Sequence, residues 1–404
     1  GKFAFTDLNM SAKKVVAPGT LLGVGNPLLD ISASVDKDFY SKYGLLPASA
    51  CLMEEKHAGI YKDLIENHKD VEYVAGGATQ NTCRITQTLL GSTSHGACRF
   101  IGGVGRDEYA EKLRKACKDA GMVPFYHVDE NTPTGTCAVA ILDHERSLCA
   151  NLAAANTFKK AHIDTPEIQK VIDDAQYYYI SSFFLTVPEG PDTLLAVAKH
   201  VQANPDRKKQ FMMNLGAEFL MQFFQDKFQV ALQYCDIVFG NESEATAYAK
   251  AVGLPDPEDR VAIGRAISNA PKATPGPRIC ILTHGADSTI VVTGDEVRKF
   301  PVPKLAKSKM IDTNGAGDAF VGGFLSHHLR GGSLAVCIQA GHAAARNCIQ
   351  QSGCVLGEVE ESVFNQVLIQ AAHDGIEIDP ISVAFTLGFH AGTAKKLEDA
   401  ESSK

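Results

Sequence analysis

The sequence predicts an α/β protein with a large domain on a mostly parallel sheet and a small β-sheet lid built from two separated pieces. Two observations predict it. The apolar runs "YYYISSFF", "KKQFMMNL", "CDIVFGN" and "RICILTHG" alternate with helical patterns, each run closed by a glycine, asparagine or proline break, which calls for parallel strands covered by helices on both faces. Upstream, Leu29, Ile31, Ala33 and Val35 alternate with Asp30, Ser32, Ser34 and Asp36, the pattern of a half-exposed strand outside that sheet.

Taken in order, 21–36 reads as a strand, a glycine bend and the alternating strand. Helical patterns follow near 58–66, 79–90 and 108–120, while "VPFYHV" and "GTCAVAIL" read as strands that pair with the alternating one. The expected division is therefore a large domain of 20–27, 74–121 and 151–370, a lid of 28–73 and 122–150, and terminal extensions 1–19 and 371–404. Met10, followed by Ser-Ala-Lys-Lys, is read as the native start, and the tail "KKLEDAESSK" as charged and frayed. No function follows from the extension "DGIEIDPISVAF" and beyond.

A chain of 404 residues, 45% hydrophobic, can bury a large core and a smaller one. Its net charge of -8 argues against wrapping nucleic acid or lying on anionic lipid, since both need a basic field. Any phosphate must be held locally. No run approaches the roughly 18 apolar residues of a membrane span, nor do the first residues have a signal-peptide centre. A soluble, cytoplasmic protein is expected, with a nuclear pool allowed. Eleven cysteines, an odd number without a Cys-x-x-Cys pair, fit reduced core thiols better than a disulfide framework or zinc site.

The stretch "DTNGAGDAF" at 312–320 carries the strongest chemical signal. Gly315 and Gly317 let the chain turn tightly and bare its amides, and Phe320, Val321, Phe324, Leu325 and Leu329 make an apolar helix face. Free amides at a helix N-terminus attract phosphate oxygens. Asp318 in the first turn, expected to stay ionised, can accept a hydroxyl proton. On these residues alone, a packing turn and an anion nest stand level. No Gly-Lys-Ser/Thr follows, so this is not a Walker P-loop, and "GVGNPL" and "GGVGRDE" both fail Gly-x-Gly-x-x-Gly, which makes a dinucleotide dehydrogenase a weak reading.

"DTNGAGDAFVGGF" resembles the C-terminal signature of the ribokinase-like (phosphofructokinase-B) kinases, and "GGATQNTCRITQTLLG" with "FIGGVGRDEYA" their N-terminal one. "GNPLLD", "TGTCAV", "NLAAAN", "FFLTV", "FGNESEA" and "GHAAA" are similar to the adenosine kinase branch of that family. The likeness runs from about residue 21 to 360. It implies a ribokinase-like fold, a large three-layer domain with a small discontinuous lid, and transfer of phosphate from ATP to the 5'-hydroxyl of adenosine.

Residue by residue, the resemblance implies Asp318 as general base and an anion hole of Gly315, Ala316 and Gly317. Asp30 becomes a clamp for the two ribose hydroxyls, with Asn26, Gly76, Gly77, Asn81 and Asn314 beside it. Leu28, Cys137, Leu148, Ala150 and Phe184 match the slot for the adenine, whose two apolar faces favour such walls. Arg146, on a lid turn, closes over the transferred phosphate as a bidentate donor. Asn241 and Glu244, one turn apart at a strand-to-helix junction, suit Mg2+ held through water, and equally a capping box. Thr283 and Gly285 lie along ATP and His342 flanks its adenine; Asp312 with Thr313 offers oxygens to a monovalent cation such as K+. For Asn26, Asp30 and Asn81 the residues alone favour turn and surface roles instead. The implied protein acts as a monomer on two small molecules. Alternatives are a guanosine/inosine or sugar kinase, and a non-catalytic nucleoside-binding protein.

Overall fold

A computed structural model describes residues 15–47, 49–142, 145–204 and 208–357. Met10 and the C-terminal extension lie outside the described residues.

The fold is ribokinase-like α/β. Nine strands form the main sheet: β1 (Leu21–Val24), β5 (Cys98–Gly105), β6 (Val123–Asp129), β9 (Tyr177–Ile180), β10 (Gln210–Asn214), β11 (Ile237–Gly240), β12 (Ile279–His284), β13 (Asp287–Thr293) and β14 (Glu296–Phe300). Their order is β14-β13-β12-β11-β10-β9-β1-β5-β6. Every pair from β6 across to β12 is parallel, and the last two strands turn back as antiparallel hairpins. The parallel strands are apolar throughout because helices cover both faces. Leu194, Val197, Phe228 and Ile263 pack one face, and Cys83, Leu113, Phe324 and Ile338 the other. Three layers result. Among the described residues no helix is long and apolar enough to cross a membrane.

The smaller sheet holds β2 (Leu28–Ser34), β3 (Ala50–Leu52), β4 (Glu72–Gly76), β7 (Thr136–Leu142) and β8 (Glu145–Asn151), in the order β3-β8-β7-β2-β4. The alternating strand β2 is an interior strand, antiparallel to the edge strand β4 and parallel to the central β7.

Two expectations need correction. The strand at 123–129 joins the edge of the main sheet beside β5, not the small one. The helix Glu108–Asp119 between them makes a β-helix-β crossover, which returns the chain parallel to β5; alternation alone does not tell which sheet a strand enters. Residues 74–76, assigned to the large domain, continue β4 in the small sheet.

The glycine pair in "FVGGF" has a packing cause. The helix Ala316–His328 lies between the helices Ala78–Leu90 and Leu334–Cys348. A methyl at Gly322 would meet Ile85, and one at Gly323 would run into the Ala340 carbonyl. Two bare positions thus let the helix that begins at Ala316 seat against both neighbours. Gly323→Ala gains about 1 kcal/mol of helix propensity but, because the methyl meets a backbone carbonyl, overpacks at the upper end of the usual range, about 2–3 kcal/mol. The expected outcome in urea denaturation is a net loss of about 1–2 kcal/mol; a variant as stable as the parent contradicts this packing account.

Candidate active site

A cavity of about 670 Å³ opens between the two sheets. Its lining gathers Asn26, Leu28, Asp30, Gly77, Asn81, Cys137, Arg146, Leu148, Ala150, Phe184, Asn241, Glu244 and residues 314–318. Segments far apart in sequence, each singled out above, thus meet at one place, as ligand sites do at strand C-termini in α/β sheets.

The floor is the start of the helix Ala316–His328. Gly315 takes the left-handed conformation, φ 73°, and no side chain caps the helix. Ala316 N donates to Thr313 O at 3.3 Å, so this amide, expected in the anion hole, is already engaged. The amides of Gly315, Gly317 and Asp318 have no partner among the described residues. A Cβ at Gly317 would meet nothing within 4 Å: here glycine keeps space open where the helix dipole is positive.

Asp318 stands on this first turn. Its Oδ2 accepts from Asn81 Nδ2 at 3.1 Å, and no described residue bonds Oδ1. Asn81 is held in turn, since Arg84 donates to its Oδ1 at 2.9 Å and to the Ala75 carbonyl at 2.7 Å. Asn81 is therefore a buried orienting group, not a surface residue. Burial pushes the Asp318 carboxyl up to about 7, with the like charges of Asp30 and Glu244 adding to it and Asn81 opposing. The expectation that Asp318 stays ionised needs correction, because without a ligand's charge beside it the carboxyl lies between its two forms near pH 7.

Asp30 is also pushed up to about 7 by burial, against the pull of Arg146 and Arg84. A methyl at Gly76 would overlap its carboxylate, so Gly76 leaves room for Asp30 rather than lining the cavity. Gly77, φ 89°, passes so close to the Asn26 carbonyl that a side chain has no place. Asn26 donates to Phe183 O at 3.2 Å, while its buried Oδ1 has no partner among the described residues, an acceptor open to a donor.

Asn241 and Glu244 form the capping box of the helix Glu242–Val252: Asn241 Oδ1 accepts from Glu244 N at 2.9 Å, and Glu244 Oε2 accepts from the backbone N of Asn241 at 3.2 Å. Both also line the cavity. Burial pushes Glu244 up to about 7 as well. Three desolvated carboxylates, Asp30, Glu244 and Asp318, thus line one space.

Arg146 is not on a solvated turn. It lies in β8, buried, and its guanidinium pairs with the buried Asp312. Asp312 also accepts from the amides of Asn314 at 2.9 Å and Gly353 at 2.8 Å. Three donors thus already hold its carboxylate. The pair joins the small sheet to the loop preceding Asp318.

One wall is apolar, with Leu28 and Cys137 packed beside Leu148 and Ala150. Phe184 is 1% exposed and belongs to the main core, edge-on to Phe158 at 5.6 Å. Its neighbour Phe183 is half-buried and also lines the cavity, tilted against Phe219 at 6.1 Å. Sequence reasoning missed Arg84, Phe183 and Phe219. The Phe-Phe doublet was the available signal, since on a tight turn one ring faces inward and the other the cavity.

The ATP-side residues divide. Thr283 donates to Gly240 O at 3.3 Å and, like Gly285, lies beyond the cavity; His284 between them lines an adjoining groove with Ser243, Lys250 and Arg260. His342 does not line either space. Its Nε2 lies 2.8 Å from Thr289 Oγ1, its ring packs on Phe320, and burial pushes it down to about 4, so it is a neutral interior histidine.

The family model for pfkB family carbohydrate kinases matches residues 38–361. Adenosine kinase 2 of Arabidopsis thaliana is 45% identical over 341 residues, which span 84% of this chain and 96% of the relative. Adenosine kinase of Anopheles gambiae, solved in complex with P1,P4-di(adenosine-5) tetraphosphate, aligns with a TM-score of 0.79 at 44% identity, covering 83% of this chain and 97% of that one. Adenosine kinase of Schistosoma mansoni, in complex with adenosine in an occluded loop conformation, gives 0.79 at 34% identity over 85% of this chain and 98% of that one. The signatures at 76–110 and 312–324 lie within the family match, and the chain belongs to the pfkB carbohydrate kinase family, in its adenosine kinase branch.

Proposed function

We propose that this protein transfers the γ-phosphoryl group of ATP to the 5'-hydroxyl of adenosine, giving AMP and ADP, with Asp318 as general base. One observation carries this reading: the unpaired Asp318 Oδ1 and the free amides of its own helix face an apolar slot flanked by Asp30 and Asn26. Phosphoryl transfer needs positioning and charge stabilisation more than covalent help from the protein. The parts supply that. The 5'-hydroxyl meets Oδ1, the amides of 315, 317 and 318 receive the phosphoryl oxygens, and Asn241 lies along the triphosphate.

Asp30 receives the vicinal ribose hydroxyls, and their hydrogen bonds favour its charged form over the desolvated neutral one. Asn26 Oδ1 accepts a further donor of the acceptor. The base lies against Leu28, Leu148, Ala150 and Phe183. Mg2+ carried in with ATP fits beside Glu244, held through water, and supplies positive charge to the phosphates. The five-stranded sheet serves as the lid and the nine-stranded sheet with its helices as the body. Closure excludes water, which otherwise competes as acceptor. Eleven free thiols support a reducing compartment such as the cytoplasm.

The direct test is ADP release with Mg-ATP against adenosine, inosine, guanosine, ribose and fructose; turnover confined to a sugar overturns the nucleoside assignment. Asp318→Asn should lower kcat by about 10²–10⁴ while keeping the parent's fold. Because the carboxylate must be ionised to take the proton, kcat/KM should rise as pH passes through about 7 and level off above it, and the Asn variant should lack that limb. A flat profile in the parent speaks against Asp318 as base. An acceptor lacking both ribose hydroxyls should lose about 100-fold or more in kcat/KM, and in Asp30→Ala much less; equal losses in both proteins contradict the clamp.

A further inference from the structure

On the edge of the small sheet, β3 sets Cys51 beside Cys149, its register partner in β8. His57, from the short turn Glu55–His57, completes a group whose sulfurs and ring nitrogen lie within 4.8 Å of one another. Two thiols and an imidazole suggest a soft metal first. The ring's second nitrogen argues otherwise: the Glu54 amide donates to His57 Nδ1 at 2.9 Å, so in the neutral ring the proton sits on Nε2. That nitrogen faces Cys51 Sγ at 3.9 Å. A metal on Nε2 would move the proton to Nδ1, against the Glu54 N–H, whereas metal-bound histidines donate from their other nitrogen to an acceptor. The ring is built to donate to sulfur.

The two thiols differ in access and in charge. Cys149 is fully buried, while Cys51 is half-buried and lines the rim of the cavity with Lys56 and His57. The neighbouring Cys149 thiol and the Lys56 charge hold Cys51 below the usual thiol range despite burial; Cys149 is pushed up. Adjacent strands place Cα atoms about 4.8 Å apart, inside the window of about 4.4–6.8 Å that a disulfide needs. Cys348 and Cys354 also lie together, but both are buried, so no reagent meets either first.

We propose that Cys51 is a thiol–disulfide exchange site for low-molecular-weight disulfides, with Cys149 as the thiol that resolves the adduct. The Cys51 thiolate attacks one sulfur of the incoming disulfide; a mixed disulfide forms and one small thiolate leaves with the Cys51 proton. Cys149 then attacks Cys51 Sγ, its proton passing to the second small thiolate. The protein's two thiols are oxidised to one disulfide, and the small disulfide is reduced to two thiols. Until it is resolved, the adduct stands at the cavity rim.

The test uses the full-length folded protein, oxidised glutathione as the probe, and peptide mapping by mass spectrometry. The parent should lose one pair of hydrogens and yield a linked Cys51–Cys149 peptide. Cys149→Ser should retain glutathione on Cys51, and Cys51→Ser should show neither product. Without any substitution, brief iodoacetamide labelling of the parent should mark Cys51 about tenfold faster than any other cysteine. Labelling of Cys51 no faster than that of the buried thiols, or a Cys149→Ser protein that holds no adduct at Cys51, overturns the proposal.

Discussion

Asn81 Nδ2 donates to Asp318 Oδ2 at 3.1 Å, and this bond fixes a carboxylate that burial and two neighbouring acids push up to about 7. Ionising it in the empty site costs on the order of 4 kcal/mol relative to water. That cost is what is left after the Asn81 hydrogen bond has already lowered it, so Asn81 orients the carboxylate without making its charge free. The remainder must come from what binds. Unpaired amides at the head of the helix and the Glu244 carboxylate line the same space, where arriving ligands and Asp318 come to share one field.

The small sheet is tied to the same loop. Arg146 of β8 reaches Asp312, and Asp312 in turn holds the Asn314 and Gly353 amides. A buried ion pair adds little net stability over an apolar pair, but removing one partner leaves a charge stranded, typically at about 3–5 kcal/mol. Its effect here is register. With the pair made, Leu28, Cys137, Leu148 and Ala150 stand over the helix start, and the acceptor slot has its second wall.

Much of this was legible in the sequence because glycines with geometric duties leave visible patterns. "NGAGD" marks a bare helix start, "AGG" a close approach to Asp30 and Asn26, and "VGGF" a helix seated between two others. Residues whose role depends on distant partners were less legible. Arg84 lies on a helix buried on nearly every side, where an arginine reads as surface until its acceptors, Ala75 O and Asn81, are seen. His342 sits in an alanine-rich helix and is claimed by Thr289 from β13. The strand β6 alternates as a lid strand would, and only its crossover from β5 decides its sheet. Period and composition report which face is buried; they do not report against what.

The central claim is that the empty site holds Asp318 near neutrality at physiological pH. Titration of the Asp318 side-chain carboxyl by ¹³C NMR in the ligand-free protein, assigned by difference from Asp318→Asn, measures it directly. A midpoint near 7 is expected. A midpoint near the ordinary 3.8 would mean that the carboxylate is solvated, and that the cavity does not prepare it as a base.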